Sequence, residues 1–383
     1  MASKFAFRTD ASVQIGTGHV MRCLTLADAL VAKGAECEFI CRAHDGNLIE
    51  FIRGKGYVAH ALATDPLTSA NTTAASPQGG VPELTHHKWL GATQAQDAEA
   101  CASILAALRP DWLIVDHYAI DARWERALAA HYRNLMVIDD LADRTHTCHL
   151  LLDQTYGREA SDYHSLVPAH CRVLCGSHYA LLRPEFAALR PYSLERRTRP
   201  ALRELLITMG GVDKDNVTGR ILEALRTCPL PADCRVTVVM GSTAPWQDEV
   251  RKQAQDMPWP TRVLVGVPDM AQLMADSDLA IGAAGATSWE RCCLGLPTAI
   301  IVVAENQRYA ADLLGKTGAV ETIFLGATLV KSLSEIVLSS VKYRDYLKNL
   351  ANRAAEITDG RGAGYISNLL LDIFPDIISN EST

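Results

Sequence analysis

The residues best suited to chemistry form a glycine-rich turn that carries a histidine, Gly16-Thr17-Gly18-His19. The turn follows residues 5–8, which are predicted to form a strand, and precedes a helical pattern, so it is predicted to connect a strand to a helix. Glycines at such a turn let a ligand approach the backbone closely. His19 would lie at the helix N-terminus, where the helix dipole disfavours the imidazolium form. His19 is therefore a candidate general base, although a helix-capping or simply exposed histidine would show the same pattern.

Further polar residues follow other predicted strands. Arg8 and Asp10 end the first strand, and they could orient His19, contact a sugar or form a local salt bridge. Asp116-His117-Tyr118 and Asn306-Gln307 each follow a later apolar strand. Because ligands of parallel α/β sheets bind at the carboxyl ends of the strands, these residues are candidates for a ligand site. No metal-ligand set follows from their spacing.

Two glycine-rich turns in the second half of the chain also join a predicted strand to a helix. They are Gly210-Gly211 and the run Gly282–Ser288. Small residues at Ala286, Thr287 and Ser288 would leave backbone N–H groups free to hold a diphosphate. Glu290, one turn into the helix, is placed to accept hydrogen bonds from ribose hydroxyls. Close packing of a helix against its strand would explain either turn equally well.

The sequence lacks residues that several well-known ligand-binding and catalytic motifs require. A dinucleotide fingerprint needs a third glycine three residues after Gly18, where the chain has Met21. A phosphate loop that ends in Gly315-Lys316-Thr317 needs a glycine at Ala310. The sequence contains neither HExxH nor GxSxG, the signatures of zinc peptidases and of serine hydrolases.

These residues must be positioned by alternating strands and helices. Such alternation predicts parallel sheets covered by helices on both faces, here as two Rossmann-like doubly wound α/β domains that face a central cleft. The 383 residues suit two domains, with the first expected at 1–190, an arginine- and proline-containing solvated linker at 191–203, and the second at 204–383. A polar stretch, Thr64–Pro82, is predicted to be a surface insertion. Strands are predicted at 5–8, 38–42, 57–62, 112–116, 135–138, 149–152, 205–209, 235–240, 262–267, 279–281 and 298–303.

Charge and composition exclude several classes of function. With 37 basic and 44 acidic side chains, the net charge is −7, which argues against nucleic-acid binding. The longest apolar runs fall far short of the roughly 20 residues that span a bilayer, so no membrane insertion is expected. The eleven cysteines form no CxxC pair, and residues 1–10 contain no signal-type apolar block, which together predict a reduced, cytoplasmic protein.

The string FRTDASVQIGTGHVMRCLTLADAL closely resembles the UDP-sugar hydrolases of pseudaminic acid biosynthesis, which act on UDP-2,4-diacetamido-2,4,6-trideoxy-β-L-altropyranose. The resemblance continues through IVDHYAID, VIDDLADR, GAAGATSWERCCLGLP and VAENQ, and it covers almost the whole chain. These hydrolases are similar to the GT-B glycosyltransferases, which bind nucleotide sugars. The insertion at 64–82 is longer than the family needs.

The resemblance implies that His19 activates water, which attacks the anomeric carbon with inversion and releases UDP without a metal or a cofactor. It implies a sugar pocket with Tyr118 and Asn306, and UDP in the second domain, with uracil near Val267–Met270. The expected substrate-binding residues are Arg8, Asp10, Gly18, Tyr118, Asn306 and Gln307, and the expected UDP-binding residues are Gly210, Gly211, Val267, Met270, Ala286, Thr287, Ser288 and Glu290. A GT-B glycosyltransferase, a hydrolysing UDP-N-acetyl-sugar 2-epimerase and a non-catalytic nucleotide-sugar sensor remain alternatives.

Overall fold

A computed structural model describes residues 2–64, 83–303, 305–326 and 328–372, apart from the side chains of Glu305, Asn306 and Arg344. All but the first residue of the predicted insertion, Thr64–Pro82, lies outside these residues. The chain divides into two compact units, Met1–Leu181 with Ala363–Thr383, and Leu182–Gly362. No helix in the described ranges combines the length and the apolar character needed to cross a membrane.

In the described part of the first unit, seven strands form one parallel sheet in the order β3-β2-β1-β4-β5-β6-β7. Its elements are β1 (Lys4–Thr9), α1 (Gly18–Val31), β2 (Glu36–Arg42), α2 (Ile49–Gly54), β3 (Val58–Leu62), α3 (Gln94–Leu108), β4 (Trp112–Asp116), α4 (Ala122–Ala127), β5 (Asn134–Ile138), β6 (Leu150–Asp153) and β7 (Arg172–Cys175).

The second unit, where described, contains a six-stranded parallel sheet in the order β10-β9-β8-β11-β12-β13. Its elements are α5 (Pro184–Arg196), β8 (Glu204–Thr208), α6 (Val217–Leu225), β9 (Arg235–Met240), α7 (Gln247–Gln255), β10 (Thr261–Val265), α8 (Met270–Asp276), β11 (Leu279–Ala283), α9 (Thr287–Cys293), β12 (Thr298–Val302), α10 (Glu305–Thr317), β13 (Glu321–Phe324), α11 (Leu329–Lys342) and α12 (Arg344–Ile357). Both sheets are doubly wound, as predicted.

Each sheet has one point at which its strand order reverses direction. β1 and β4 are neighbours, yet the chain continues from β1 towards β2 on one side and from β4 towards β5 on the other. β8 and β11 have the same relation in the second unit. Loops that leave two such strands in opposite directions open a crevice at their carboxyl ends, where ligands of this fold class bind. The crevices are therefore formed by the loops after β1 and β4 and by those after β8 and β11.

Apolar side chains on both faces of each sheet form the cores. On one face of the first sheet, Phe7 stacks on Phe39 with ring centroids 4.9 Å apart, and Val20 and Leu24 of α1 belong to the same buried cluster. Fully burying a side chain of this size contributes about 1.5–3 kcal/mol. α1 is thereby held firmly behind the turn that carries His19.

The closing helix, α13 (Gly362–Asp372), belongs to the first unit and not to the expected 204–383 domain. Ala363, Ile366 and Leu370 are buried in the first unit's core, and Lys33 of α1 donates hydrogen bonds to the Ser367 hydroxyl and the Gly364 carbonyl. The sequence pattern shows that α13 is amphipathic, but the pattern does not specify which sheet its apolar face covers.

The expected linker, 191–203, also differs from the structure, because its first half continues helix α5. Arg197, within the expected linker, donates to the carbonyls of Met274, Ala275 and Ser277, and Arg190, directly before that linker, donates to those of Cys293, Ala355 and Thr358. These arginines satisfy carbonyl groups within the second unit and are not the solvated residues of a linker. Two four-residue strands, β7 and β13, were not predicted; the other strands lie within two residues of their predicted bounds.

A buried ionic network fixes the carboxyl ends of β1 and β2. Arg8 donates to Asp10 at 2.6 Å and to Asp97 of α3 at 2.7 Å, and Arg42 donates to Asp97 at 2.6 Å. Trp124 Nε1 donates to the same Asp97 carboxylate at 2.9 Å. Burial alone would raise the pKa of Asp97, but Arg8 and Arg42 lower it, so the carboxylate is charged. The network joins α3 and α4 to β2 and to β1, the strand that precedes the His19 turn.

Replacing Asp97 should strongly destabilise the first unit, because Arg8 and Arg42 would keep buried charges without their shared partner. We expect Asp97→Ala to lower the free energy of unfolding by about 3–5 kcal/mol in urea titrations. Asp248→Ala, at an exposed pair with Arg251, is the matched control and should leave the unfolding curve unchanged. Equal effects of the two substitutions would contradict a stabilising network.

Candidate functional site

The turn that carries His19 is shaped by its own backbone and by one serine. The Ser12 hydroxyl accepts hydrogen bonds from the N–H groups of Gln14 and Ile15, and Ser12 pairs with Gly16 in an isolated bridge. Gly16 has φ +80°, a left-handed conformation that glycine adopts without strain. α1 then begins at Gly18, so His19 lies in its first turn, at the crevice beside β4.

His19 forms a short hydrogen bond with the carboxylate at the end of β4. Its Nδ1 lies 2.6 Å from Asp116 Oδ1. Arg22, one turn along α1, donates to both oxygens of Asp116 at 2.6 Å and to Asp140 at 3.0 Å. Burial by itself would raise the pKa of Asp116, but the charge of Arg22 and the hydrogen bonds from Arg22 and His19 hold that pKa far below its usual range. Asp116 is therefore a carboxylate that accepts from both neighbours.

The ionised Asp116 determines which nitrogen of His19 carries the proton. Since a carboxylate only accepts hydrogen bonds, the neutral imidazole places its hydrogen on Nδ1 and leaves a lone pair on Nε2. No described residue is hydrogen bonded to Nε2. The arrangement corresponds to the histidine–carboxylate pair of acyl-transfer enzymes, in which the carboxylate fixes the tautomer and stabilises the imidazolium that forms. His19 Nε2 can therefore accept a proton from water or a hydroxyl group.

Aromatic side chains surround the same histidine. The Tyr118 ring meets His19 edge to face with centroids 4.6 Å apart, and Trp89 stacks on Tyr118 at 5.7 Å. His86 lies against both Trp89 and Tyr118. The structure thus brings Tyr118 to His19, as expected. His86 and Trp89 were missed, because nothing in their spacing marks them. Arg22 could have been found, since it lies three residues after His19 on the same helical face.

Arg8 and Asp10, expected as substrate contacts, are both fully buried in the ionic network described above. Asp10 also accepts from the Arg42 N–H at 2.6 Å, and His117 Nε2 lies 3.2 Å from its second oxygen. The prediction of a sugar contact is corrected accordingly: the local salt bridge is the alternative that the structure supports. Gly18 lies at the start of α1 with open space where a Cβ would stand.

In the second unit, the Gly210-Gly211 turn leads to a helix whose first N–H groups are already bonded. Asp213 accepts from the N–H groups of Val217 and Thr218, and Asn216 accepts from that of Gly219. Gly210 has φ +91°, and a Cβ on Gly241 would lie 1.9 Å from the Gly211 carbonyl oxygen. Conformation and close packing therefore account for this turn, and its helix start offers no free donors.

The turn between β11 and α9 differs in this respect. No described residue accepts from the N–H groups of Ala286 and Thr287, whereas the Ser288 N–H donates to the Gly285 carbonyl at 2.9 Å. The expectation that Ser288 offers a free N–H group is therefore wrong, because the turn closes on itself at that residue. Two backbone donors remain for a ligand at this crevice, which lies beside the Gly210-Gly211 turn.

The remaining predicted residues are more scattered. Glu290 is partly buried in α9, with Arg183 at 3.9 Å. Burial raises the pKa of Glu290 to about 7, against the lowering effect of Arg183 and Arg291. Val267 and Met270 are half-buried after β10, an edge strand. Gln307 of α10 accepts from the Val303 N–H at 3.2 Å, and the side chain of Asn306 lies outside the described residues. Within the described ranges, no group of three or more His, Cys, Asp or Glu side chains is arranged to hold a metal ion.

Solved structures and a family model define the class of this fold. MurG of Acinetobacter baumannii matches with a TM-score of 0.67 at 14% identity, over 97% of this chain and 100% of that one. The calicheamicin glycosyltransferase CalG4 matches with a TM-score of 0.56 at 13% identity, over 97% and 98% of the two chains. Residues 205–361 match the glycosyltransferase family 28 C-terminal domain. The chain has the two-domain GT-B fold of these enzymes.

Curated proteins then provide a more particular similarity. The chain is 27% identical, over 315 residues, to the UDP-2,4-diacetamido-2,4,6-trideoxy-β-L-altropyranose hydrolase of Campylobacter jejuni subsp. jejuni serotype O:2. The match spans 82% of this chain and 97% of that protein. The spore coat polysaccharide biosynthesis protein SpsG of Bacillus subtilis (strain 168) is 29% identical over 214 residues, which are 54% of this chain and 60% of that protein. The resemblance stated from the sequence is confirmed.

Because the pKa of Glu290 is raised, we expect the free energy of unfolding to depend on pH. A carboxyl group whose pKa is raised by folding contributes most below its unfolded pKa, and the contribution is lost as the pH rises through about 7. Glu290→Gln cannot ionise, so at pH 8 we expect it to exceed the parent protein in unfolding free energy by about 1–3 kcal/mol. This advantage should shrink towards pH 4.5 in denaturant titrations. The exposed Glu249→Gln should show no such trend, and a pH-independent difference for Glu290→Gln would contradict the raised pKa.

Proposed function

We propose that this protein hydrolyses a UDP-linked 2,4-diacetamido-2,4,6-trideoxy hexose to the free sugar and UDP, a step of nonulosonic (pseudaminic) acid biosynthesis. The observation that carries the proposal is the hydrogen bond of 2.6 Å between His19 Nδ1 and Asp116, which leaves Nε2 as a proton acceptor. The similarity to the Campylobacter jejuni hydrolase supports this substrate class.

In the proposed reaction, His19 Nε2 accepts a proton from water while the water oxygen attacks the anomeric carbon. The new C–O bond forms on the face opposite to UDP, and the electron pair of the breaking C–O bond passes to the diphosphate, so the configuration inverts. Asp116 stabilises the imidazolium formed on His19, as a carboxylate does in related acid–base pairs. The second unit would bind UDP, with the N–H groups of Ala286 and Thr287 donating to the diphosphate.

A glycosyltransferase is the second candidate, because residues 205–361 match a glycosyltransferase domain. Such an enzyme would use His19 to deprotonate an acceptor hydroxyl in place of water. A hydrolysing 2-epimerase would also release UDP, but its free sugar would differ in configuration at carbon 2. A nucleotide-sugar sensor would release none.

The decisive experiment measures UDP release from a panel of UDP-2,4-diacetamido sugars in water enriched with heavy oxygen and without any acceptor. We expect turnover, with the label in the free sugar and inverted configuration in the NMR spectrum. UDP-N-acetylglucosamine serves as the comparison substrate and should react far more slowly. Label in UDP would exclude attack at carbon, absence of turnover without an acceptor would favour the transferase, and a sugar altered at carbon 2 would favour the epimerase.

His19→Asn should lower kcat by about two or more orders of magnitude, because the general base is lost. Asp116→Asn should lower kcat by about two to four orders of magnitude, because an amide can hold the wrong tautomer of His19. His60→Asn is the matched control, since His60 also pairs with a carboxylate, Glu38, at 2.7 Å but lies on β3, away from the crevice.

Calorimetric titration with UDP should give unchanged affinity for the His19 and His60 variants, and circular dichroism would verify the fold of each. Full activity of a folded His19→Asn protein would show that water is activated elsewhere.

A further inference from the structure

Arg291 of α9 lies directly behind the turn that joins β11 to α9. The side chain is fully buried, and its Nη2 donates to the Ala283 carbonyl at 2.7 Å and to the Ser288 hydroxyl at 3.1 Å. These two acceptors stand at opposite ends of the turn, so the guanidinium joins them. Gly282 makes room for it, because a Cβ at that position would lie 2.0 Å from Nη1.

The charge of Arg291 has no carboxylate partner among the described residues. Its Nε and Nη1 are buried without a hydrogen-bond partner there, whereas the buried Arg8 and Arg22 each contact two carboxylates. Burial lowers the pKa of Arg291 to about 10, so the group remains a cation at neutral pH. The charge of the adjacent Glu290 acts on Arg291, but the two side chains form no ion pair. A buried cation without an ion-pair partner is costly to the folded state, and an anion bound at the turn would reduce that cost.

Ser288 connects this cation to the crevice. Because the Ser288 oxygen accepts from Arg291, the hydroxyl hydrogen must be donated elsewhere, and no described residue accepts it. The free N–H groups of Ala286 and Thr287 belong to the same turn. Three donors backed by an unpaired positive charge match an anion with several oxygens and more than one negative charge.

We propose that Arg291 is a positioning residue for a diphosphate. Its guanidinium stabilises the conformation of the turn 284–288 and orients the Ser288 hydroxyl as a donor. Its positive charge, buried behind the turn, compensates the negative charge of the diphosphate. This inference rests on the proposed function, since UDP is the ligand that carries the diphosphate. Arg291 itself does not touch the ligand. A role limited to packing would affect every ligand of the second unit equally.

The test compares UDP with uridine, which lacks the diphosphate, by calorimetric titration of the full chain. We expect Arg291→Met to weaken UDP binding about 10- to 100-fold while uridine affinity changes less than about twofold. Without ligand, the melting temperature of Arg291→Met should be equal to or above that of the parent, because an unpaired buried charge is removed. Arg251→Met, on the exposed face of α7, is the control and should change neither affinity.

Two further variants test the same assignment if Arg291→Met does not fold. Ser288→Ala should weaken UDP binding about 5- to 30-fold and spare uridine. Gly282→Ala would place a Cβ 2.0 Å from Nη1 and 2.8 Å from the Thr208 carbonyl oxygen, so circular dichroism must first show an unchanged fold; the folded variant should act in the same direction. Equal weakening of UDP and uridine, or no weakening of UDP, would overturn the inference. A parent protein that binds neither ligand would instead overturn the proposed function.

Discussion

Buried carboxylates at the ends of parallel strands are the constraint on which the first unit depends. Asp116 ends β4, Asp139 follows β5, and Asp153 ends β6, and each is paired with an arginine at 2.6–2.8 Å: Arg22, Arg144 and Arg158. A buried carboxylate without such a partner is strongly destabilising. The segment that supplies each arginine must therefore pass close to the carboxylate at the strand end. The orientation of His19 follows from this requirement, because Asp116 has one oxygen that Arg22 and the imidazole share.

The six strands of the second unit follow the same order as the first six strands of the first unit, but the residues at its crevice differ. Its strands β8 and β11 lead into glycine-rich turns rather than carboxylates, and the charge behind one turn is the cation of Arg291. In the proposed reaction, the carboxylate of Asp116 orients the base in the first unit. In the second unit, the cation of Arg291 lies behind a turn in which the N–H groups of Ala286 and Thr287 are free to donate.

The sequence predicted the parts of this arrangement that depend on local pattern. Strand bounds, the turn of His19 and the approach of Tyr118 follow from hydrophobic runs and from the rule that parallel strands end together. What it could not specify were partnerships between distant residues. Arg8 and Asp10 were expected at a ligand, but Asp97, almost ninety residues away, draws Arg8 into the core. The Ser288 N–H was expected to be free, but the closure of a turn depends on backbone angles that composition does not reveal.

The return of α13 to the first unit makes residues 182–362 an insertion in the chain order of that unit. During synthesis, the ribosome produces the whole second unit before the helix that completes the first core. Until then, the surface that Ile366 and Leu370 cover stays exposed to solvent and to chaperones. The first unit therefore cannot complete its core until α13 has been synthesised, and a fragment that ends at Leu181 would leave that apolar surface uncovered.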